Sequence, residues 1–181
     1  MPRKPETAEK PSPEGRGARG TRVGIGYDSH RFDKSRTLIL GGLTIPESPG
    51  LAGHSDGDAL CHAITDAILG AAGAGDIGSL FPDDQEENRD RDSVEMLRLA
   101  VERVTKSGFL VVQVDATVIT EQPRIGPHRE AMQMRLASAL GIAPGDVSVK
   151  GKSNEGMGWI GSAEGLACIA VATLARVRGE R

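Results

Sequence analysis

An aspartate and two histidines carry the first chemistry in this sequence. Asp28 and His30 stand two apart in Tyr27-Asp28-Ser29-His30-Arg31-Phe32, just after the run Arg22-Val23-Gly24-Ile25-Gly26-Tyr27. At the end of a strand, residues i and i+2 point the same way, so one carboxylate and one imidazole converge. His62 would add a second imidazole. Two nitrogens and one oxygen suit zinc with a fourth position left for substrate, and other divalent metals accept the same donors. From spacing alone, a polar strand end beside an unrelated helix reads equally well.

His62 belongs to Gly53-His54-Ser55-Asp56-Gly57-Asp58-Ala59-Leu60-Cys61-His62, which runs into Ala63, Ile64, Ala67, Ile68 and Leu69 at helical spacing. The pattern predicts a helix start with Ser55 or Asp56 as N-cap, and a turn whose free N–H groups would seat a phosphate. Asp58, His62 and Asp66 fall at i, i+4 and i+8, on one side of that helix. His54 beside an anion site would stabilise developing negative charge. Glu155 lies with Ser153 in a glycine-rich loop, where one carboxylate can hold magnesium against phosphates. Pro123 and Pro127 stiffen Glu121–Pro127, a loop whose backbone groups could read a base edge or simply join a strand to a helix.

These residues need elements to hold them. Arg22–Tyr27 reads as a strand with small residues on one face, and its GxG lacks the third glycine of a dinucleotide site. Leu38–Ile45 reads as a hairpin turning at Gly41-Gly42. Ser93 caps a predicted amphipathic helix ending near Gly108, after a charged loop (Gln85–Asp92) expected to be mobile. Phe109–Thr120 and Asp146–Gly151 read as strands, Arg129–Leu140 as a helix, and Ala163–Val177 as a last apolar helix. The expected class is α+β, a two-layer sandwich with a mixed sheet and helices on one face.

The bulk numbers bound the answer. At 181 residues and 38% hydrophobic, the chain can bury one sizeable core. Residues 1–20 are nearly devoid of apolar side chains and read as a disordered tail before a single domain at 21–181. A net charge of −3 and 3% aromatic content argue against a nucleic-acid surface built on bulk charge and stacking. No apolar run is long enough to cross a membrane. Cys61 and Cys168 lack CxxC spacing and fall in segments read as helical, so a reduced, cytoplasmic setting is expected.

Taken together, Gly26-Tyr27-Asp28-Ser29-His30-Arg31-Phe32, His54-Ser55-Asp56-Gly57-Asp58 through His62, Asp76-Ile77-Gly78, Phe81-Pro82-Asp83 and Glu164-Gly165 resemble the 2-C-methyl-D-erythritol 2,4-cyclodiphosphate synthase family of non-mevalonate isoprenoid biosynthesis. The resemblance covers roughly Thr21–Val177. It implies zinc on Asp28, His30 and His62, and magnesium or manganese at Glu155. It implies substrate contacts at Asp28, Ser29, His30, His54 and Ser55. Asp76, Ile77, Gly78, Phe81, Pro82, Asp83, Asp84 and Gln85 would line an erythritol pocket. Thr120, Glu121, Gln122, Pro123, Arg124, Ile125 and Gly126 would hold cytosine, and Lys152, Ser153, Asn154 and Glu155 the diphosphate. His54 and Ser153 would stabilise the transition state. The family is a homotrimer acting on a cytidine diphosphate substrate, with each active site shared between subunits.

The chain departs from the family pattern in places. Gly151-Lys152-Ser153-Asn154 stands where many members have consecutive threonines, Trp159 where Phe is common, Gln85 where Asp is frequent, and Ser162 where many carry an arginine that meets phosphate. Two other functions fit the residues less fully: a metal-dependent phosphohydrolase using bound water, and a non-catalytic trimer that binds metal or isoprenoid.

Overall fold

The computed structural model describes residues 20–82 and 84–177. The expected N-terminal tail and Asp83 therefore lie outside the described residues, Gly20 excepted. Five strands form one mixed sheet: β1 (Thr21–Leu40), β2 (Leu43–Leu51), β3 (Phe109–Ile119), β4 (Val147–Lys152) and β5 (Gly165–Arg176), in the order β2-β1-β5-β3-β4. Only β3 and β4 pair in parallel; the other neighbours are antiparallel. The longer helices are α1 (Ala59–Ala72), α3 (Ser93–Lys106) and α4 (Arg129–Leu140); α2 (Ile77–Leu80) and α5 (Gly158–Gly161) are single turns.

The glycines of β1 are what bring α1 onto the sheet. A Cβ on Gly24 would lie 2.1 Å from the Ala67 carbonyl oxygen, and one on Gly26 would lie 1.9 Å from that of Ala63. Strand and helix backbones therefore touch directly, which only glycine permits. The helix is apolar nearly all round, with Leu60, Ile64, Ile68 and Leu69 fully buried. Such a helix belongs in the centre of a core. The opposite face of β1 stays open, with Val23, Ile25 and Tyr27 exposed by 64%, 71% and 55%.

The Leu38–Ile45 hairpin forms as expected, with Gly41 and Gly42 at φ of 61° and 71°. Two consecutive positive φ values are the signature of a tight hairpin turn that follows strand twist. Asp58 ties this turn to α1. Its fully buried carboxylate accepts from Leu60 and Cys61 N–H at the helix start, and from Gly41 and Gly42 N–H at 2.9 and 2.6 Å. Asp58, not Ser55 or Asp56, is the N-cap. The phosphate seat expected at this helix start is already filled by the chain's own carboxylate. Asp58→Ala should destabilise the fold by about 3 kcal/mol or more, since it removes a cap and strands two buried N–H groups. Urea unfolding measures this directly.

The segment read as a last helix is β5, the central strand, hydrogen-bonded to β1 on one side and β3 on the other. Leu166, Cys168, Ala170, Ala172 and Leu174 face the helices and are buried. Ile169, Val171 and Thr173 take the other face. Both faces are apolar or nearly so, which hides the two-residue period, and alanine's helix propensity gave the wrong reading. Cys168 is thus a strand residue, buried and free like Cys61 in α1. Asp92, one residue before Ser93, caps α3. The loop expected to be mobile contains a short 3-10 turn at Glu86–Asn88, with Asn88 buried and donating to the Pro82 carbonyl at 2.9 Å. Among the described residues, no helix is long and apolar enough to cross a membrane.

Candidate metal centre and adjoining cavities

Three side chains from two elements converge on one point. Asp28 and His30 come from β1, and His62 comes from the first turns of α1, held on β1 through Gly26. Asp28 Oδ2 lies 2.8 Å from His30 Nε2 and 3.0 Å from His62 Nδ1. One donor atom from each residue falls within 4.8 Å of the others. The convergence that spacing left open is therefore real.

The outer partners of the two rings bear on their tautomers. His30 Nδ1 is 2.5 Å from the Ala52 carbonyl, which can only accept, so that nitrogen carries the proton. His62 Nε2 is 2.8 Å from Ser93 Oγ, and the Ser93 hydroxyl is itself donated to Asp56. Ser93 can therefore only accept from the ring, whereas Ser55 Oγ, 3.1 Å from the same nitrogen, can donate to it, so the His62 surroundings accommodate either tautomer. His30 Nε2 is left as a bare lone pair facing a carboxylate oxygen, and His62 presents one beside it in the tautomer that donates to Ser93. His30 Nε2, buried and without a properly directed hydrogen bond, is an orphan by geometry. Lone pairs pointed at lone pairs repel unless a cation lies among them. The second partners, a carbonyl and a hydroxyl, are those that commonly orient metal-bound imidazoles. The donor set fits a divalent ion.

The same arrangement sets the proton equilibria. Burial would push the Asp28 carboxyl up, but close contact with the His30 and His62 imidazoles and their charge when protonated outweigh it and hold it well below the usual range. Burial would lower His30, but Asp28 outweighs this and raises it above an ordinary imidazole. In the metal-free protein, protonated His30 thus contributes stability below its ordinary pKa, lost as pH rises through the raised one. A metal competes with that proton for Nε2. Metal affinity should therefore fall as pH drops through the raised His30 value, by about tenfold per unit per displaced proton. Titrating zinc affinity between pH 8 and 5 checks this, and a flat profile would contradict the assigned lone pair.

A cavity of 290 Å³ opens on the triad, lined also by Gly53, His54, Ser55, Ile77, Gly78, Phe81, Asn88 and Met96. Ser55 is buried, its Oγ 3.1 Å from His62 Nε2. Asp66 does not share a site with Asp58 and His62. Its carboxylate, pushed up mainly by burial, accepts from Ile77 N–H at 2.7 Å and fixes the wall near Gly78. Asp76 caps α2 through Ser79 rather than lining this cavity. Pro82, Asp84 and Gln85 are also absent from its walls. Asn88 and Met96 carry no signal in the sequence; nothing in their local pattern distinguishes them, because folding alone brings them here.

A second, larger cavity of 650 Å³ gathers Thr120, Glu121, Gln122, Pro123, Arg124, Ile125 and Gly126 with Lys152 and Ser153, and adds Pro127, Arg129 and Gly151. Thr120 Oγ1 donates to the Gln122 carbonyl at 2.5 Å, and Glu121 Oε1 accepts from Asn154 and Gly156 N–H at 2.9 and 3.2 Å. The two loops are thereby locked together. Asn154 and Glu155 lie beside this cavity, not in its wall. Glu155 is exposed, at φ 53°, and accepts the Ser153 hydroxyl at 2.7 Å. It joins no cluster of metal donors among the described residues. Trp159 borders a smaller 210 Å³ cavity with Ser29, His30, Arg31 and Glu164. Ser162 ends α5 and lines none of the three.

The profile of the YgbB family matches residues 21–175. The 2-C-methyl-D-erythritol 2,4-cyclodiphosphate synthase of Gemmatimonas aurantiaca is 60% identical over 153 residues, 84% of this chain and 92% of that protein. Among solved structures, the bifunctional IspDF of Campylobacter jejuni superposes with a TM-score of 0.84 at 38% identity, covering 87% of this chain and 42% of that one. The Plasmodium falciparum IspF–CDP complex superposes with a TM-score of 0.77 at 36% identity, covering 90% of this chain and all of the other. With the profile spanning nearly all of the described sheet and helices, and the triad assembled within it, the chain belongs to the YgbB family.

Proposed function

We propose that the protein is a phosphorus–oxygen lyase that converts 4-diphosphocytidyl-2-C-methyl-D-erythritol 2-phosphate to 2-C-methyl-D-erythritol 2,4-cyclodiphosphate and CMP, in isoprenoid biosynthesis in the cytoplasm. The observation that carries this reading is the convergence of one donor atom each from Asp28, His30 and His62 within 4.8 Å, in a cavity that His54 also lines. An oxygen of the substrate's 2-phosphate bonds to the β-phosphorus. The bond from that phosphorus to the bridging oxygen breaks, and CMP leaves with the bridging oxygen and its electron pair. The attacking phosphate is already anionic, so the protein needs no strong base, and catalysis is positioning and charge neutralisation.

Asp28, His30 and His62 would hold zinc, which when bound supplies Lewis-acid charge at the phosphate oxygens. Glu155 would hold magnesium or manganese only with phosphate oxygens completing the coordination, as suits a lone exposed carboxylate. His54 and Ser153 donate to charge that develops in transfer, and Lys152 adds a cation. The Thr120–Gly126 loop takes the cytosine through backbone groups. Ile77, Gly78 and Phe81 enclose the erythritol.

The two cavities share no lining residue, and the outer face of β1, β3 and β5 exposes Val23, Ile25, Tyr27, Leu110, Val112 and Val171. An open apolar face of this kind supports burial against other copies. The homotrimer, with the metal cavity of one subunit facing the cytosine loop of the next, is therefore part of the proposal. The test is purified protein with the cytidylyl substrate, zinc and magnesium, followed by phosphorus NMR. Cyclic diphosphate with equimolar CMP is expected. Inorganic phosphate with an uncyclised product would replace this reading with a hydrolase.

A further inference from the structure

We propose that Arg36 is a positioning residue for this transfer, holding His54 at the triad by clamping the backbone on both sides of it. The inference rests on the proposed role of His54. Arg36 Nη1 donates to the Gly53 carbonyl at 2.6 Å, and Nη2 donates to the Ser55 carbonyl. The carbonyl between them, of His54, accepts from Asp90 N–H at 2.8 Å. Three consecutive carbonyls are thus held by donors remote in sequence, in a segment that belongs to no helix or strand.

The fold delivers Arg36 to this place deliberately. The β1–β2 pairing slips between Asp33 and Thr37, and Arg36 lies in that irregularity. Gly50 of β2 allows the close pass, since a Cβ there would lie 2.7 Å from Arg36 Cβ and from its carbonyl. A bulge of this sort re-aims a side chain. The clamped backbone also touches the metal ligands: a Cβ on Gly53 would sit 3.1 Å from His30 Cε1, and Ser55 Oγ is 3.1 Å from His62 Nε2. A planar guanidinium holds its donors in a rigid fork that spans two separated carbonyls; an ammonium has three donors but gathers them at one nitrogen. The nearby Asp90 carboxylate, 3.8 Å from Nη2 and well exposed, adds little.

Arg36→Met keeps the apolar stem and removes both donors. Turnover should fall about 10- to 100-fold, the cost of a misplaced group, while zinc stoichiometry is kept and KM moves much less than kcat. Arg36→Lys should recover part of the loss. Amide exchange at Asp56 and Gly57 should quicken about tenfold in the Met variant, reporting the freed loop without reference to activity. A folded, zinc-replete Arg36→Met protein with kcat within twofold of the parent overturns the inference, as does unaltered exchange. If the Met variant does not fold, Arg36→Lys decides, and parental kcat there overturns it. A parent protein that makes no cyclic diphosphate removes the proposed function instead, and the exchange result still judges the clamp.

Discussion

His62→Ala will lose bound metal and cyclisation together, with turnover down more than about a thousandfold, some 4 kcal/mol of transition-state stabilisation. The variant removes one of three donors and leaves His30 Nε2 facing Asp28 with nothing to reconcile them. It also breaks the link from α1 through Ser93 to Asp56. Because His62 is nearly buried, the melting temperature should be recorded beside metal content and CMP release. A folded variant that retained both zinc and turnover would remove His62 from the ligand set.

Gly26→Ala should be nearly as damaging from a position that touches no ligand. The new Cβ would lie 1.9 Å from the Ala63 carbonyl oxygen and 2.7 Å from the Ala67 nitrogen, both helix backbone. Neither can rotate away, so α1 must lift off β1, at about 3 kcal/mol or more for overpacking with backbone displacement. Lifting α1 carries His62 away from Asp28 and His30, so zinc affinity should fall with stability. Gly145→Ala supplies the control: nothing lies within 4 Å of its would-be Cβ, and the change should stay within about 0.5 kcal/mol. Denaturant unfolding with and without zinc reads both effects. Equal midpoints for the two variants would mean that the close approach of strand and helix does not set the site.

Gly26 and β5 mark the two limits of what local sequence encodes. A strand bearing glycines on one face, a Gly-Gly hairpin and the amphipathic Ser93–Lys106 helix are local events, driven by backbone freedom and side-chain period, and each is legible. The strand from Gly165 to Arg176 is not. Its inward and outward residues are both apolar, since it lies between two strands with helices over one face, and such a strand carries no contrast for periodicity to detect. The N-cap was misplaced for a similar reason. Ser55, Asp56 and Asp58 are all good caps by type, and Asp58 prevails because the hairpin's two N–H groups also need its carboxylate.

The sequence by itself determined the candidate groups: an aspartate and two imidazoles of the right kind, a further histidine, and loops rich in glycine, proline and serine. Only the tertiary structure decided that Asp28, His30 and His62 meet, that the outer nitrogens of the two rings face Ala52 and Ser93, and that Arg36 grips the loop carrying His54. Residue type is a local property of the chain. Tautomer, lone-pair direction and carbonyl clamping depend on which distant backbone arrives alongside, and packing alone supplies that.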